Sequence, residues 1–284
     1  MKVHNLLISI FLIISLLFCN NKQLKIEFEK YTLTNGLEVI IHEDHSIPMV
    51  SVNVWYHVGS KNEKPGRTGF AHLFEHLMFQ GSKNHDSNFA EPLEKIGGTD
   101  NGSTSTDRTN YWSNVPSNQL ELALWLEADR MGFLLDAITQ EKLDNQRDVV
   151  KNERRQNYEN KPYGKAWEII PKMMFPIDHP YNWIPIGSMD DLTAASLDDV
   201  SDFFRQYYIP NNASLCIAGD VDIDTTKELV EKYFGSLEPG KPIDRMEVKT
   251  AKMDGIIRKT ALDNVSLPRI IYGWHTPGLY QSGD

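Results

Sequence analysis

Residues 72–76 of the chain read His-Leu-Phe-Glu-His, which places two imidazoles and a carboxylate at helical spacing. Each residue of a helix advances by about 100°, so His72, Glu75 and His76 fall within an arc of about 100° on one side. Both imidazoles can then reach one metal ion from adjacent turns. Glu75 lies on the same side of the helix but does not have to be a ligand. The spacing therefore predicts a metal site.

A buried helix with no metal is the alternative explanation of these five residues. The positions around the polar groups are apolar, namely Leu73, Phe74, Leu77 and Met78, which predicts a helix buried on nearly all sides. Polar groups on such a helix need partners, because an unpaired buried charge is very costly. A metal ion would satisfy all three groups at once, so we favour the metal site over a set of satisfied core side chains.

A catalytic zinc ion usually has three protein ligands and one open position, so two histidines require a third partner. Carboxylates are numerous in this chain, and spacing alone does not choose among them. One candidate lies on a helix predicted at about 140–158, where one face carries the stripe Leu143, Gln146, Val149, Val150 and Glu153. Glu153 continues an apolar face, where a carboxylate should be coordinated or paired. A metal ligand and an ion pair with a nearby arginine both remain open for Glu153.

Three segments, HLFEH, NGSTSTDRTNYW and QRDVVKNERRQ, resemble the pitrilysin-type zinc metallopeptidases, which include insulinase and the mitochondrial processing peptidase. That family carries the inverted zinc motif HxxEH and a glutamate ligand far downstream in a Glu-Arg context. The separation of 77 residues between His76 and Glu153 matches the family spacing. The resemblance covers nearly all of residues 25–284.

The resemblance implies residue roles at the metal site. His72, His76 and Glu153 would hold one Zn²⁺ per chain, and Glu75 would be the general base that takes a proton from water. Gln146 stands where family members often have a second glutamate. We expect this glutamine to support Glu153 more weakly rather than to abolish zinc binding.

The segment NGSTSTDRTNYW resembles the edge strand on which the family binds substrate as an added strand. Asn101, Gly102 and Thr104 are therefore expected to bind substrate, and Gly102 stands where alanine is common. An ordinary threonine-rich hairpin would give the same local pattern without the resemblance. His179, in HPYNWIPIGS, is interpreted as structural.

The resemblance predicts a zinc-dependent endopeptidase that hydrolyses extended or unstructured peptides. Family enzymes form a chamber of two halves, whose distal half supplies an arginine-tyrosine pair that helps to hold substrate. This chain stops before such a segment, so we expect a fragment or a chain that needs a second polypeptide. The alternative function is a non-catalytic or partner-dependent peptide-binding subunit of a two-chain peptidase. A structural zinc site is a third possibility, but it would need a fourth ligand, for which the sequence offers no convincing candidate.

The elements that would carry these residues indicate an α+β fold, with layers of mainly antiparallel sheet packed with helices. Asn35-Gly36 predicts a hairpin between alternating segments. A helix is expected at 68–80 with Thr68 as its cap, and a long helix at about 117–135 precedes the one that carries Glu153. Extended strands are expected through NGSTSTDRTNYW.

The second half repeats the mixture of helices and strands. An amphipathic helix follows Ser196, ASLCIAGDV predicts a strand, and a last strand is expected at 268–276. We therefore predict a catalytic domain at 23–185 and a second, homologous-type but incomplete domain at 186–284. Cys216 is interpreted as an inert buried strand residue.

The net charge and the N-terminal segment limit the possible partners and the cellular location of the protein. The net charge of −10 argues against nucleic acid as a partner. Residues 6–18 are apolar apart from two serines and are too short to span a bilayer comfortably, so residues 1–22 predict an export signal. Cys19 resembles the lipidation site of bacterial lipoproteins, although Phe18 fits that pattern poorly. We expect an exported protein that is either periplasmic or anchored to the cell envelope by a lipid on Cys19. The alternative is that residues 1–22 form an apolar N-terminal tail that is not cleaved.

Overall fold

One six-stranded sheet with helices packed against it forms the framework of the protein. The computed structural model describes residues 25–246, 248, 250–279 and 281–282, so the predicted export signal and Cys19 lie outside the described residues. The strands are β1 (Glu29–Thr32), β2 (Glu38–Glu43), β3 (Met49–Tyr56), β4 (Thr99–Thr104), β5 (Thr109–Pro116) and β6 (Ala213–Gly219). The predicted mixed α+β class is confirmed.

The helices follow the strands in the predicted mixed order. They are α1 (Phe70–Leu77), α2 (Ala90–Lys95), α3 (Leu120–Phe133), α4 (Gln140–Arg154), α5 (Ala166–Met174), α6 (Met189–Ala194), α7 (Leu197–Tyr207) and α8 (Ile223–Phe234). A π-helical turn at Arg155–Glu159 continues α4. Among these helices, none is long and apolar enough to cross a membrane.

The sheet is antiparallel except at one pair of strands. Its order is β1-β2-β6-β3-β5-β4, and only the β2–β6 pair is parallel. Alternate residues of β3 and β6 point into the core, where Val52 lies opposite Ile217 and Val54 opposite Leu215. The period of two along each strand therefore places one apolar face against the helices. The order leaves β4 as an edge strand.

The position of β6 bears on the predicted domain boundary between residues 185 and 186. β6 pairs with β2 on one side and with β3 on the other, so residues from both sides of that boundary form one sheet and one core. The buried turn residue Asn35 also donates to the carbonyls of Phe234 (2.7 Å) and Leu237 (3.0 Å). The boundary therefore does not separate two sheets, because strand pairing joins segments that are far apart in the chain.

The prediction of a strand at residues 268–276 is wrong. Residues 268–276 have no regular structure, and the side chains of Ile270, Tyr272 and Trp274 are largely exposed. The alternation of apolar residues is a necessary condition for a half-buried strand, but a strand also needs a partner. In the described part of the chain, residues 268–276 have no strand partner.

Two smaller expectations also need correction. Thr68 does not cap α1: Gly69 is the N-cap residue, with a φ of +90° and no side-chain hydrogen bond, and the Thr68 hydroxyl instead donates to Asp191 (2.5 Å). Cys216 is half-buried on β6 rather than buried. The first correction comes from a tertiary contact with Asp191, and the second from the alternation of β6, whose buried positions include Leu215 and Ile217.

We predict that substitution of Ile217 by alanine destabilises the whole sheet in one transition. Ile217 is fully buried on the central strand β6, and Ile→Ala changes in such sites cost about 2–5 kcal/mol of unfolding free energy. The matched control is Ile270→Ala, because Ile270 is 76% exposed and should change stability by about 0.5 kcal/mol at most. Urea unfolding, followed by circular dichroism, measures both variants. Two separate transitions, with only one shifted by Ile217→Ala, would contradict a single unit that includes β6.

Candidate metal centre

Two helices carry the potential metal ligands. His72 and His76 lie on α1, whose other side chains Phe70, Leu73, Phe74 and Leu77 are buried. Glu153 lies near the end of α4, on the face that buries Leu143, Gln146 and Val150. The apolar stripe of each helix packs into the core, so the polar groups of the two helices face one another where α1 and α4 meet.

The three ligand atoms converge. Glu153 Oε2 lies 3.7 Å from His72 Nε2 and 3.4 Å from His76 Nε2. Two ligands that each lie 2.0–2.2 Å from a tetrahedral zinc ion are about 3.4 Å apart, so these separations suit an ion between the groups. Within the described residues, these three side chains are the group of His, Cys, Asp and Glu whose ligand atoms could hold a metal ion. Two imidazole nitrogens and one carboxylate oxygen are a donor set that fits zinc and leaves one position open.

The electrostatic environment keeps the first imidazole neutral. Burial, together with the neighbouring His76, lowers the pKa of His72 to about 3 in the metal-free protein. The neutral imidazole is the form that binds a metal. The two rings stand nearly perpendicular, at an interplanar angle of 77° with centroids 4.8 Å apart. Protons therefore do not compete with a metal for His72 near neutral pH.

Glu75 faces the edge strand instead of joining the three ligands. Its Oε2 accepts a hydrogen bond from the hydroxyl of Thr104 on β4 (2.6 Å). Burial raises the pKa of Glu75, while the hydrogen bond from Thr104 and the nearby His76 oppose the rise. A carboxylate with a raised pKa is better matched to proton transfer near neutral pH than an ordinary glutamate.

The edge strand β4 comes close to Glu75 at Gly102. A Cβ added at Gly102 would lie 3.1 Å from Glu75 Cγ and 3.2 Å from Tyr111 Cδ1, tighter than ordinary van der Waals contact. Asn101 is exposed, and its side-chain oxygen accepts from the N–H of Gly102 (2.8 Å). Asn101, Gly102 and Thr104 therefore lie together on an edge strand beside Glu75, and their substrate-binding role stays a prediction.

Other predicted residues have definite positions. Gln146 is buried on the face of α4 that carries Glu153, and its amide nitrogen donates to Asn145 (3.3 Å); its support of Glu153 stays a prediction. His179 stacks on Phe175 with ring centroids 4.7 Å apart and accepts from the N–H of Tyr181 (3.0 Å). These contacts agree with the structural interpretation of His179.

Sequence reasoning missed two charged residues near the site. Arg108 lies in the turn between β4 and β5, donates to the Ser103 carbonyl (2.9 Å) and lowers the pKa of Glu75 through its charge. Glu63 is buried, and its carboxylate accepts from backbone N–H groups at the start of α1. Both residues lie outside the helices and strands and reach the site through tertiary contacts. Neither belongs to a spacing pattern that sequence alone could recognise.

Comparison with known proteins gives the chain two family matches. The family described as Insulinase (Peptidase family M16) matches residues 38–176. The family described as Peptidase M16 inactive domain matches residues 194–284. The ligand candidates on α1 and α4 all lie in the first match.

Similar proteins include several zinc proteases. The zinc protease PqqE of Helicobacter pylori is 36% identical over 256 residues, which are 88% of this chain and 56% of the relative. The uncharacterized zinc protease YmxG of Bacillus subtilis is 28% identical over 79% of this chain and 55% of its own length. The chain thus spans about half the length of these curated relatives.

Solved structures agree on the fold. The crystal structure of a protease from Helicobacter pylori matches 81% of this chain and 54% of its own, with a TM-score of 0.72 at 35% identity. The periplasmic protease PqqL from Escherichia coli matches 80% of this chain and 26% of its own, with a TM-score of 0.72 at 22% identity. The second likeness concerns the fold alone.

We predict that loss of any one ligand candidate removes zinc. His72→Ala and Glu153→Gln should each weaken zinc binding by more than about 100-fold, because loss of a mere supporting partner already costs 10–100-fold. The control His85→Ala, outside the group, should keep one zinc per chain. Mass spectrometry of the metal content after dialysis checks the prediction. Full zinc content in Glu153→Gln would exclude Glu153 as a ligand.

We also predict a pH dependence of stability for the metal-free chain. The pKa of His72 is about 3 in the folded protein and near its ordinary value of 6.5 in the unfolded chain. Between these values the unfolded chain binds more protons, so the free energy of unfolding falls as the pH is lowered, by about 1.4 kcal/mol per pH unit at most for this group. Urea unfolding between pH 7 and 5 in chelator should show a shallower dependence for His72→Gln. Equal slopes for variant and parent would contradict the prediction.

Proposed function

Because the chain belongs to the insulinase family of peptidases, we propose that it hydrolyses peptide bonds with a zinc ion held by His72, His76 and Glu153. The observation that carries the proposal is the convergence of two imidazole nitrogens and one carboxylate oxygen beside a separate glutamate, Glu75. Glu75 is the general base of the proposed reaction. Three protein ligands with an open position are typical of catalytic zinc.

A zinc ion bound here would lower the pKa of a water molecule and polarise the carbonyl group of the substrate. The protein's own part in the reaction is proton transfer. Glu75 takes a proton from the water as the water attacks the carbonyl carbon, and then gives this proton to the amine that leaves. Thr104 donates a 2.6 Å hydrogen bond to Glu75 Oε2 and so fixes the orientation of the carboxylate.

The proposed substrates are extended or unstructured peptides. β4 is an edge strand, and a peptide in the extended conformation can add to such an edge by backbone hydrogen bonds. The hydrogen bond between the Asn101 side chain and the Gly102 N–H would have to open when that N–H pairs with substrate. Folded proteins would be poor substrates, because their backbone groups are already paired.

A second candidate function is a partner-dependent, non-catalytic peptide-binding subunit. It is favoured by the match of residues 194–284 to the family described as Peptidase M16 inactive domain. The intact group of His72, Glu75, His76 and Glu153 favours the peptidase.

We also propose that the protein is exported. The apolar segment at residues 6–18 is the only support for export, and attachment to a membrane through Cys19 is part of the same proposal.

We predict chelator-sensitive cleavage of an unstructured, internally quenched peptide by the purified chain with zinc. Glu75→Gln should keep one zinc per chain but lower the cleavage rate by about 10²–10⁴-fold, because the amide is not a base. Fluorescence release measures cleavage, and metal analysis of the same sample measures zinc. His85→Ala, outside the site, is the matched control.

Each outcome decides between the candidates. Cleavage that is lost with chelator and with Glu75→Gln supports a peptidase that is complete in this chain. Zinc binding with no cleavage by the unsubstituted chain would favour the partner-dependent subunit. Full activity in Glu75→Gln would refute the proposed role of Glu75.

A further inference from the structure

The helix that carries His72, Glu75 and His76 begins without a cap of its own. Gly69 is the N-cap residue of α1, has a φ of +90° and offers no side chain. The first N–H groups of a helix have no partner within the helix and need acceptors from elsewhere. Because α1 is only eight residues long, the groups that fix its first turn also fix the positions of its polar side chains.

The Glu63 carboxylate supplies these acceptors. Its Oε2 accepts from the N–H of Gly69 (3.0 Å), and its Oε1 accepts from the N–H of Ala71 (2.9 Å). The indole N–H of Trp183 also approaches Glu63 Oε2 (3.1 Å). Glu63 is 6% exposed, so water does not substitute for these bonds. The carboxyl group lies at the positive end of the α1 dipole. Burial raises the pKa of Glu63 to about 8, while the hydrogen bonds from the start of α1 and from Trp183 oppose the rise.

The segment 59–63 is attached on its other side to the turn between β4 and β5. The N–H groups of Ser60 and Lys61 donate to the carbonyls of Ser105 (3.2 Å) and Thr106 (2.9 Å). The Lys61 ammonium pairs with Asp107 in the same turn (2.8 Å). These bonds tie the segment 59–63 to the end of the edge strand.

The contact between segment and turn is close. A Cβ at Gly59 would lie 2.5 Å from the carbonyl oxygens of Ser105 and Thr106, so no larger residue fits there without a shift. Trp183 adds a bond from the same side, since its indole N–H lies 3.0 Å from the Ser60 carbonyl. One short segment therefore holds both the start of α1 and the turn that follows Thr104.

We propose that Glu63 is a positioning residue, which sets where α1 holds His72, Glu75 and His76 relative to Thr104 and Glu153. The proposal rests on the proposed function for its effect on catalysis, while its effect on metal geometry does not depend on catalysis. Misplacement of a catalytic group by about 1 Å can lower a rate by about 10²-fold. Loss of an acceptor at Glu63 should therefore change the site without removing any ligand.

The test compares Glu63→Gln with Asp129→Asn. The Gln variant keeps the shape of the side chain but replaces one acceptor oxygen by an amide nitrogen, which donates and does not accept. Asp129 is a matched control, since it is also a buried carboxylate that accepts from three donors, on Ser82 and Asn84, but it holds the 82–84 loop instead of α1. Trp183→Phe removes the indole donor and leaves Glu63 in place.

Each variant is measured in two ways. The visible absorption of the full chain loaded with Co²⁺ in place of zinc reports the arrangement of the ligands without any substrate. Steady-state cleavage of the quenched peptide by the zinc-loaded chain separates kcat from KM. Thermal unfolding of every variant records the stability that each substitution removes.

We expect Glu63→Gln to shift the Co²⁺ bands and to lower kcat about 10–100-fold, with KM changed by less than about threefold. Asp129→Asn should lower the thermal midpoint to a similar degree but keep the parent spectrum and kcat. The effects of Glu63→Gln and Trp183→Phe on kcat should be less than additive, because the two side chains share one contact.

A Glu63→Gln variant that matches Asp129→Asn in spectrum and in kcat would overturn the proposal, because Glu63 would then contribute stability alone. If the unsubstituted chain does not cleave the peptide, the proposed function fails, and the Co²⁺ spectrum alone decides the role of Glu63. If Glu63→Gln does not fold, Glu63→Asp carries the same comparison, because the shorter side chain withdraws the carboxylate from the start of α1: shifted bands support the proposal, and an unchanged spectrum refutes it.

Discussion

The convergence of three potential ligand atoms from two helices is the constraint on which the candidate metal site depends. His72 and His76 come from α1 and Glu153 from α4, and their ligand atoms are separated by the distance between neighbours in a zinc tetrahedron. Two imidazoles one helical turn apart are placed by local geometry, since α1 alone fixes them. The carboxylate is different, because its position depends on how α4 packs on α1. The apolar stripes of both helices therefore position the candidate metal ligands as well as forming part of the core.

The edge strand is placed by a second set of contacts. Thr104 reaches Glu75 only because β4 lies against α1, and the absence of a side chain at Gly102 leaves room for Glu75 at this approach. In the described part of the chain, the same sheet order that makes β4 an edge leaves its outer side without a paired strand. Glu75 and the edge strand β4 are thus positioned relative to one another by the same sheet and helix.

Local patterns predicted the parts of the site that local geometry controls. The 3.6-residue period placed His72, Glu75 and His76 on one side of a helix, and the stripe on α4 singled out Glu153 for its inward face. Contacts between distant segments were not predictable in this way. Glu63 caps a helix that starts seven residues later, and no spacing rule marks a glutamate in a loop as a helix cap. The error at 268–276 has a similar origin, since alternating apolar residues do not reveal whether a partner strand exists.

β6 joins in one sheet the segments on either side of the predicted domain boundary. β6 is about 100 residues beyond β5 in the chain, yet it lies between β2 and β3 in the sheet. The family matches divide the chain before β6, at residues 176 and 194, so the first match by itself lacks a central strand. A fragment that ended at residue 176 would leave unpaired the edges of β2 and β3 that pair with β6. These strands carry Val39, Ile41, Val52 and Val54, which are fully buried in the protein. Unpaired apolar edges of this kind associate with other chains. α1 packs against β4 and β5, and α4 packs on α1, so residues 213–219 support the candidate metal site only through the sheet and contribute no group to it.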